Sequence, residues 1–325
     1  MFNSITLIFK TQLLTLVRCI SFIIFPFFSL NANVERPYVS CRLEGQLGNQ
    51  LFEIATTLAY AWDYHLEPIF PDLNSKGWNI PHNRGMVFFR LNASALPRPP
   101  LKEFYERECY QDWPDNPPYF PDCYLRGYFQ SWIYFHHHRQ KILEIFAPPK
   151  EIDDFLQSNY EDLLAHPNTV AVHVRTYDKV VHSHGATPFL GLDYYREAMN
   201  LFPKETLFVV FSDRINWCKH HFEQLNKNII YIDNGYVEDL FLMSKLKHQI
   251  IANSTFSWWG AYLNTNPDQI VVTPRYWMNP ILRHFPLEES NSLYLPHWIS
   301  INSDCNKNPY PIDIGQYDPR SKSID

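Results

Sequence analysis

Two short segments of this sequence place cationic and hydroxyl side chains where an anion could sit. The first is His173-Val174-Arg175-Thr176-Tyr177-Asp178. His173 and Arg175 are two residues apart, so on an extended strand they project to one face. An arginine at the tip of a buried strand is costly unless it meets an anion, and its planar fork matches phosphate geometry. An internal salt bridge is the alternative. The second segment is Asn253-Ser254-Thr255-Phe256. Ser and Thr just before a helix read as an N-cap, and free amides at a helix start attract anions. Two hydroxyls and those amides make a phosphate seat facing Arg175, or else they only cap the helix. Asp213, in Phe211-Ser212-Asp213, accepts hydrogen bonds from a base or ribose, or caps the helix after it, which is the commoner role.

Other groups are less telling. Gly45-Gln46-Leu47-Gly48-Asn49-Gln50 follows a strand-like run and opens a helix. It lacks the third glycine of the dinucleotide fingerprint and the Gly-Lys-Ser/Thr of a phosphate loop. Gly45, Gly48 and Asn49 read instead as a tight turn that brings backbone close to a ligand. No Asp-x-Asp occurs in the chain. That argues against a metal-bridged nucleotide diphosphate and leaves cationic side chains and helix dipoles to carry the charge. His136-His137-His138 precedes Arg139 on an expected helix and reads as a solvated face rather than a metal site.

The elements that must position these residues fall into two halves. Tyr38–Leu43 reads as a strand, and Leu51, Phe52, Ala55, Leu58, Ala59 and Trp62 form a helical stripe. Residues 67–121 read as long loops with short elements. Tyr124–Gln130 reads as a strand, Trp132–Phe146 as one helix, and Pro148-Pro149 ends it. Strands are then expected at Val170–Arg175, Leu207–Phe211, Ile229–Ile232, His248–Ala252 and, last, Ile270–Thr273. Helices are expected between them at Asp193–Leu201, Ile215–Leu225, Val237–Lys247 and Phe256–Asn264. Short apolar strands alternating with such helices indicate a parallel sheet buried on both faces, with ligands bound at the carboxyl ends of its strands. The expected organisation is a leader over residues 1–33, an N-terminal acceptor-side half over 34–165, a C-terminal nucleotide-sugar-binding half over 166–300 and a polar tail over 301–325.

Composition excludes several classes. The chain has 325 residues, 46% of them hydrophobic and 19% charged, so it is neither low-complexity nor a disordered charged tail. With a formal net charge of −6 and no basic stripe, it does not look like a nucleic-acid binder. Lys10 and Arg18 precede the uncharged run Cys19–Leu30, which suggests a secretory signal with a loose cleavage site at Leu30-Asn31-Ala32. An uncleaved signal-anchor is the alternative, although Thr11–Leu30 reaches a spanning length only by including Arg18 and Pro26. A disordered leader or a misassigned start is the third reading. The protein is thus expected to be membrane-associated or exported through residues 1–33, with a soluble catalytic part. The six cysteines show no zinc spacing. A Cys109–Cys123 bridge and buried free thiols are both open, the second being the commoner case. Asn253-Ser254-Thr255 matches a glycosylation sequon but lies between buried elements, so Asn92-Ala93-Ser94 is the better acceptor.

Taken together the motifs resemble the α-1,2-fucosyltransferase family, glycosyltransferase family 11. Gly45-Gln46-Leu47-Gly48-Asn49-Gln50-Leu51-Phe52 is similar to its Gly-Leu-Gly-Asn-Gln-Met-Phe opening, and Gly127-Tyr128-Phe129-Gln130 to its Gly-Tyr-Phe-Gln. His173–Asp178 resembles its His-x-Arg-Arg-Gly-Asp-Tyr motif. Leu190–Tyr195, Phe211–Asp213 and the long stretch from Asp239 to Leu263 follow in the family's order. The resemblance implies a GT-B-like α/β fold of two Rossmann-like halves. It implies GDP-fucose as donor, a galactose 2-hydroxyl on a glycan as acceptor, inversion, and no metal or other cofactor. It also implies that Arg175 holds the diphosphate, with Asn253, Ser254, Thr255 and Phe256 at the phosphates. His173 and Asp178 share the same motif. Candidates for the acceptor base are Asp178, His173 and Glu44. Thr176 stands where the family has a second Arg, and Tyr177-Asp178-Lys179 replaces its Gly-Asp-Tyr. This departure leaves open a different GDP-sugar or a non-catalytic binding protein of the same fold.

Overall fold

Two parallel sheets, one from each half of the sequence, form the frame of the protein in the computed structural model. The structure describes residues 36–106, 118–176, 190–278 and 292–303. The leader, Cys109, Asp178 and nearly all of the polar tail lie outside these residues. Among the described residues no helix is long and apolar enough to cross a membrane.

The first sheet holds β1 (Tyr38–Cys41), β2 (Glu67–Pro68), β3 (Lys102–Tyr105) and β4 (Cys123–Arg126) in the order β2-β1-β4-β3. The second holds β5 (Thr169–Val174), β6 (Leu207–Ser212), β7 (Ile229–Ile232), β8 (His248–Ile250), β9 (Val271–Pro274) and β10 (Ile299–Ile301) in the order β10-β9-β8-β5-β6-β7. Side chains alternate across a strand. Val170, Val172 and Val174 of β5 therefore enter one core and Ala171 the other, so neither face is wet. Cys41, Cys123 and Cys218 are buried free thiols.

The helices are α1 (Leu47–Tyr64), α2 (Ile80–Met86), α3 (Arg139–Ile145), α4 (Lys150–Ala165), α5 (Leu192–Asn200), α6 (Ile215–Phe222), α7 (Tyr236–Lys245) and α8 (Thr255–Tyr262). The apolar stripe of α1 is buried, and the helix stops at His65, whose left-handed backbone (φ 56°) returns its N–H to the Ala61 carbonyl. Phe52 of α1 packs on Trp258 and Trp259 of α8, at ring centroid distances of 4.5 and 5.2 Å. Phe135 stacks on Trp259 at 5.4 Å. The aromatic excess of the composition is thus partly spent on joining the two halves.

Two expectations need correction, and one helix is unanticipated. Residues 132–146 are not one helix but two 3-10 turns (Trp132–Tyr134 and His136–His138) followed by α3. Phe135 leaves helical geometry between them (φ −140°) because its fully buried ring is drawn into the aromatic cluster. Residues 150–165 carry no expected element, yet they form α4, whose weak apolar signal reflects only three buried side chains, Ile152, Leu156 and Leu163. β3 is one of the short elements expected within residues 67–121. Ile270–Thr273 is not the last strand, because β10 pairs parallel with β9 (Ile299 opposite Val272). As a half-exposed edge strand, β10 leaves no apolar run to detect.

Candidate active site

In open parallel sheets ligands bind outside the carboxyl ends of the strands, at the point where the winding reverses. In the second sheet the reversal lies between β5 and β8, whose ends carry His173–Thr176 and Asn253–Phe256. In the first sheet β1 and β4 are parallel neighbours, and their ends carry residues 44–50 and 127–130.

Arg175 leaves β5 with its guanidinium 3.0 Å from the Asp213 carboxylate. The other oxygen of Asp213 accepts the Thr176 N–H at 3.0 Å and the Thr176 hydroxyl at 3.2 Å. Asp213 therefore orients Arg175 and does not cap α6, where the Ser212 hydroxyl accepts the Arg214 N–H instead. Thr176 is buried, and the position that differs from the family motif holds the carboxylate that aims Arg175. His173 is 6% exposed and lies against the Phe256 ring at 5.4 Å. Burial, then the Arg175 charge, lowers its pKa to about 3, which makes it neutral and a poor proton acceptor near pH 7. Its Nδ1 is buried with no hydrogen-bond partner among the described residues.

Ser254 occupies the N-cap position of α8, but its side chain makes no cap hydrogen bond. The first amides of α8 are therefore not taken by their own cap, as an anion seat requires. Thr255 does not face that seat with its hydroxyl, which donates to Asn49 Oδ1 at 2.9 Å. Asn253 is buried and donates to the Trp277 carbonyl at 3.3 Å, which rules out its sequon as a surface acceptor.

The Gly45–Gln50 turn joins the halves. A Cβ on Gly48 would lie 2.5 Å from both the Phe256 N and the Thr255 Oγ1, so only glycine fits. Asn49 Oδ1 accepts from Thr255 and, at 3.1 Å, from Gln130. Gln50 donates to the Gly45 carbonyl at 2.8 Å and accepts from Asn83, which in turn accepts from the Tyr236 hydroxyl of α7 at 2.6 Å. This turn has the tight geometry the sequence suggests, and its observed partners are protein groups.

Residues 30–302 match the sequence pattern described as Glycosyl transferase family 11. The chain belongs to glycosyl transferase family 11. An α-1,2-colitosyltransferase of Escherichia coli is 34% identical over 185 residues, 51% of this chain and 57% of that protein. Galactoside 2-α-L-fucosyltransferase Sec1 of Mus musculus is 26% identical over 300 residues, 86% of this chain and 78% of that protein. The chain spans less than two thirds of the length of the Escherichia coli relatives it matches. The NodZ α-1,6-fucosyltransferase of Bradyrhizobium, co-crystallised with GDP, superposes with a TM-score of 0.50 at 14% identity over 71% of this chain and 93% of that one. That likeness concerns the fold alone, which is the GT-B-like α/β arrangement.

In this family 11 chain one polar group near the ends of β3 and β4, Glu106, escapes a reading of motifs, and Gln130 has a role that its motif does not reveal. Gln130 ends the Gly-Tyr-Phe-Gln segment and reaches Asn49. Glu106 directly follows β3, and its Oε2 accepts the Phe129 N–H at 2.8 Å. Gly127 (φ 147°) packs so closely on Glu106 that a Cβ there would sit 2.4 Å from the Glu106 Cβ. Burial raises the Glu106 pKa to about 7, although the Phe129 and Tyr128 amides and the Tyr134 hydroxyl favour its charged form. The available signal was a glutamate closing the strand-like Lys102-Glu103-Phe104-Tyr105. Far along α1, Asp63 accepts from His137 at 3.0 Å and His138 at 2.7 Å, one group among the described residues whose ligand atoms lie close enough to share a metal ion.

Proposed function

We propose that this chain transfers fucose from GDP-fucose to the 2-hydroxyl of a galactose-containing glycan, with inversion and without a metal ion. The observation that carries the reading is the Arg175–Asp213 pair beside the uncapped start of α8, in a chain similar over 86% of its length to a galactoside 2-α-L-fucosyltransferase. As the glycosidic bond to GDP breaks, negative charge grows on the phosphates. A guanidinium held in place beforehand and a helix N-terminus stabilise that charge where it develops. The lack of an Asp-x-Asp pair supports the metal-free mechanism. Membrane association or export through residues 1–33 belongs to the same proposal, and mass spectrometry of the mature N-terminus tests it.

The decisive experiment is GDP release from GDP-fucose in the presence of lactose, with EDTA, for the wild type and Arg175→Ala. The variant is expected to lose roughly 10²–10³ in kcat, the usual cost of removing a preorganised charge-stabilising donor. Equal turnover would remove the phosphate role from Arg175, and a requirement for added metal would overturn the metal-free mechanism. NMR of the product reads the linkage and the anomeric configuration. The similarity to an α-1,2-colitosyltransferase favours a second reading, in which the donor carries another sugar. Competition between GDP-colitose and GDP-fucose decides between them.

A further inference from the structure

Inverting transfer to an alcohol calls for a group that takes the hydroxyl proton as the new bond forms. The three candidates from the sequence fare differently. His173 is sealed under Phe256 and is a weak base. Glu44 is exposed, and its N–H donates to both oxygens of Glu53, at 3.2 and 3.1 Å. Asp178 lies outside the described residues.

Glu106 meets the structural requirements. It sits at the carboxyl end of β3, next to β4, in the sheet whose ends face the second half through Gln130, Asn49 and Thr255. Its Oε2 is fixed by the Phe129 N–H, while Oε1 is buried with no hydrogen-bond partner among the described residues. Buried polar atoms are nearly always paired, so a buried carboxylate oxygen without a partner, one residue pair away from the Gln130–Asn49 contact between the halves, calls for a functional reason. The backbone around it is strained. Phe129 has a positive φ of 49°, and strain of this kind gathers at working sites.

We propose that Glu106 is the general base that receives the proton of the acceptor hydroxyl, an assignment that rests on the fucosyl-transfer reading above. The hydroxyl oxygen forms its bond to the anomeric carbon of the donor. The bond from that carbon to the phosphate oxygen breaks, and its electron pair leaves with GDP. The hydroxyl proton passes to the Glu106 carboxylate, which later returns it to water. The titratable groups facing Glu106 are Tyr134, whose hydroxyl hydrogen-bonds it, and Glu53 of α1, which interacts with it through charge. Glu103 and Arg126, on the adjoining edge of β3 and β4, pair with each other at 2.8 Å. A base with a pKa near 7 is suited to this step, because it is available at neutral pH and still basic enough to help.

The test compares wild type with Glu106→Gln, which keeps an acceptor for the Phe129 amide. Expected results are a kcat lower by roughly 10²–10⁴, an unchanged GDP-fucose Kd, and loss of an acid limb near pH 7 that the wild type shows in kcat/KM. A variant with wild-type kcat, or one that retains the limb, would overturn the assignment while leaving fucosyl transfer intact. If Glu106→Gln fails to fold, the wild-type profile alone decides, because activity independent of pH between 5 and 8 also overturns it. A wild type that releases no GDP with any galactoside overturns the transfer reading and this assignment together.

Discussion

His173 and Glu106 show how burial sets the chemistry of a single side chain. Both lose water on folding, and desolvation moves an acid and a base in opposite directions. His173 goes from 6.5 to about 3, so between those values the unfolded chain binds a proton that the folded chain does not. Stability is therefore fully present above pH 6.5 and is lost as pH falls towards 3, by at most about 1.4 kcal/mol per pH unit. Glu106 goes from 4.5 to about 7, and its contribution has the opposite sign, with stability lost as pH rises through that window. His173→Phe is expected to flatten the acid side of the stability profile relative to wild type. Urea midpoints measured from pH 4 to 7 check this, and parallel slopes for the two proteins would refute it.

At the scale of elements, the turn between β1 and α1 matters for what it touches rather than for its outline. Gly48 lies against the backbone at the start of α8, and backbone there cannot give way as a flexible side chain can. Gly48→Ala is expected to cost roughly 1–3 kcal/mol through overpacking, and to weaken GDP binding by shifting α8. Gly85 in α2 is the control. A Cβ there meets nothing within 4 Å, so Gly85→Ala is expected to be neutral or to stabilise by about 0.5–1 kcal/mol through helix propensity. Denaturant unfolding and calorimetric titration with GDP measure both, and a Gly48→Ala protein with wild-type stability would show that the turn tolerates a methyl.

Across the whole molecule, one aromatic cluster and one hydrogen-bonded turn couple the two sheets. Phe52 of the first half is fully buried against Trp258 and Trp259 of the second. Phe52→Ala is expected to cost about 3–5 kcal/mol, the range for a buried aromatic. Because the cavity lies between the halves, near-ultraviolet and far-ultraviolet signals should lose stability together. Two separate transitions, with the second half unaffected, would mean that the halves are energetically independent.

Strand alternation, the stripe of α1 and the motif segments are local properties, so they are legible in residues alone. The unbroken apolar run Val170-Ala171-Val172 announces a strand buried on both faces, and His173-x-Arg175 announces its working end. The resemblance to the α-1,2-fucosyltransferases supplied the family and the two-halved fold. α4 and β10 escape because they are short, exposed or at an edge, where packing leaves little apolar period to read. What a polar side chain meets is not a local property. Asp213 looks like a cap and instead aims Arg175, while Thr255 looks like part of an anion seat and instead holds Asn49. Glu106, in a stretch without a motif, becomes a carboxylate poised near neutrality because β3 and β4 bring it against Gly127 and Phe129. Residue identity limits which chemistry is possible, but burial and partners set charge state and direction. Those depend on segments far apart in the chain, and only the folded arrangement brings them together.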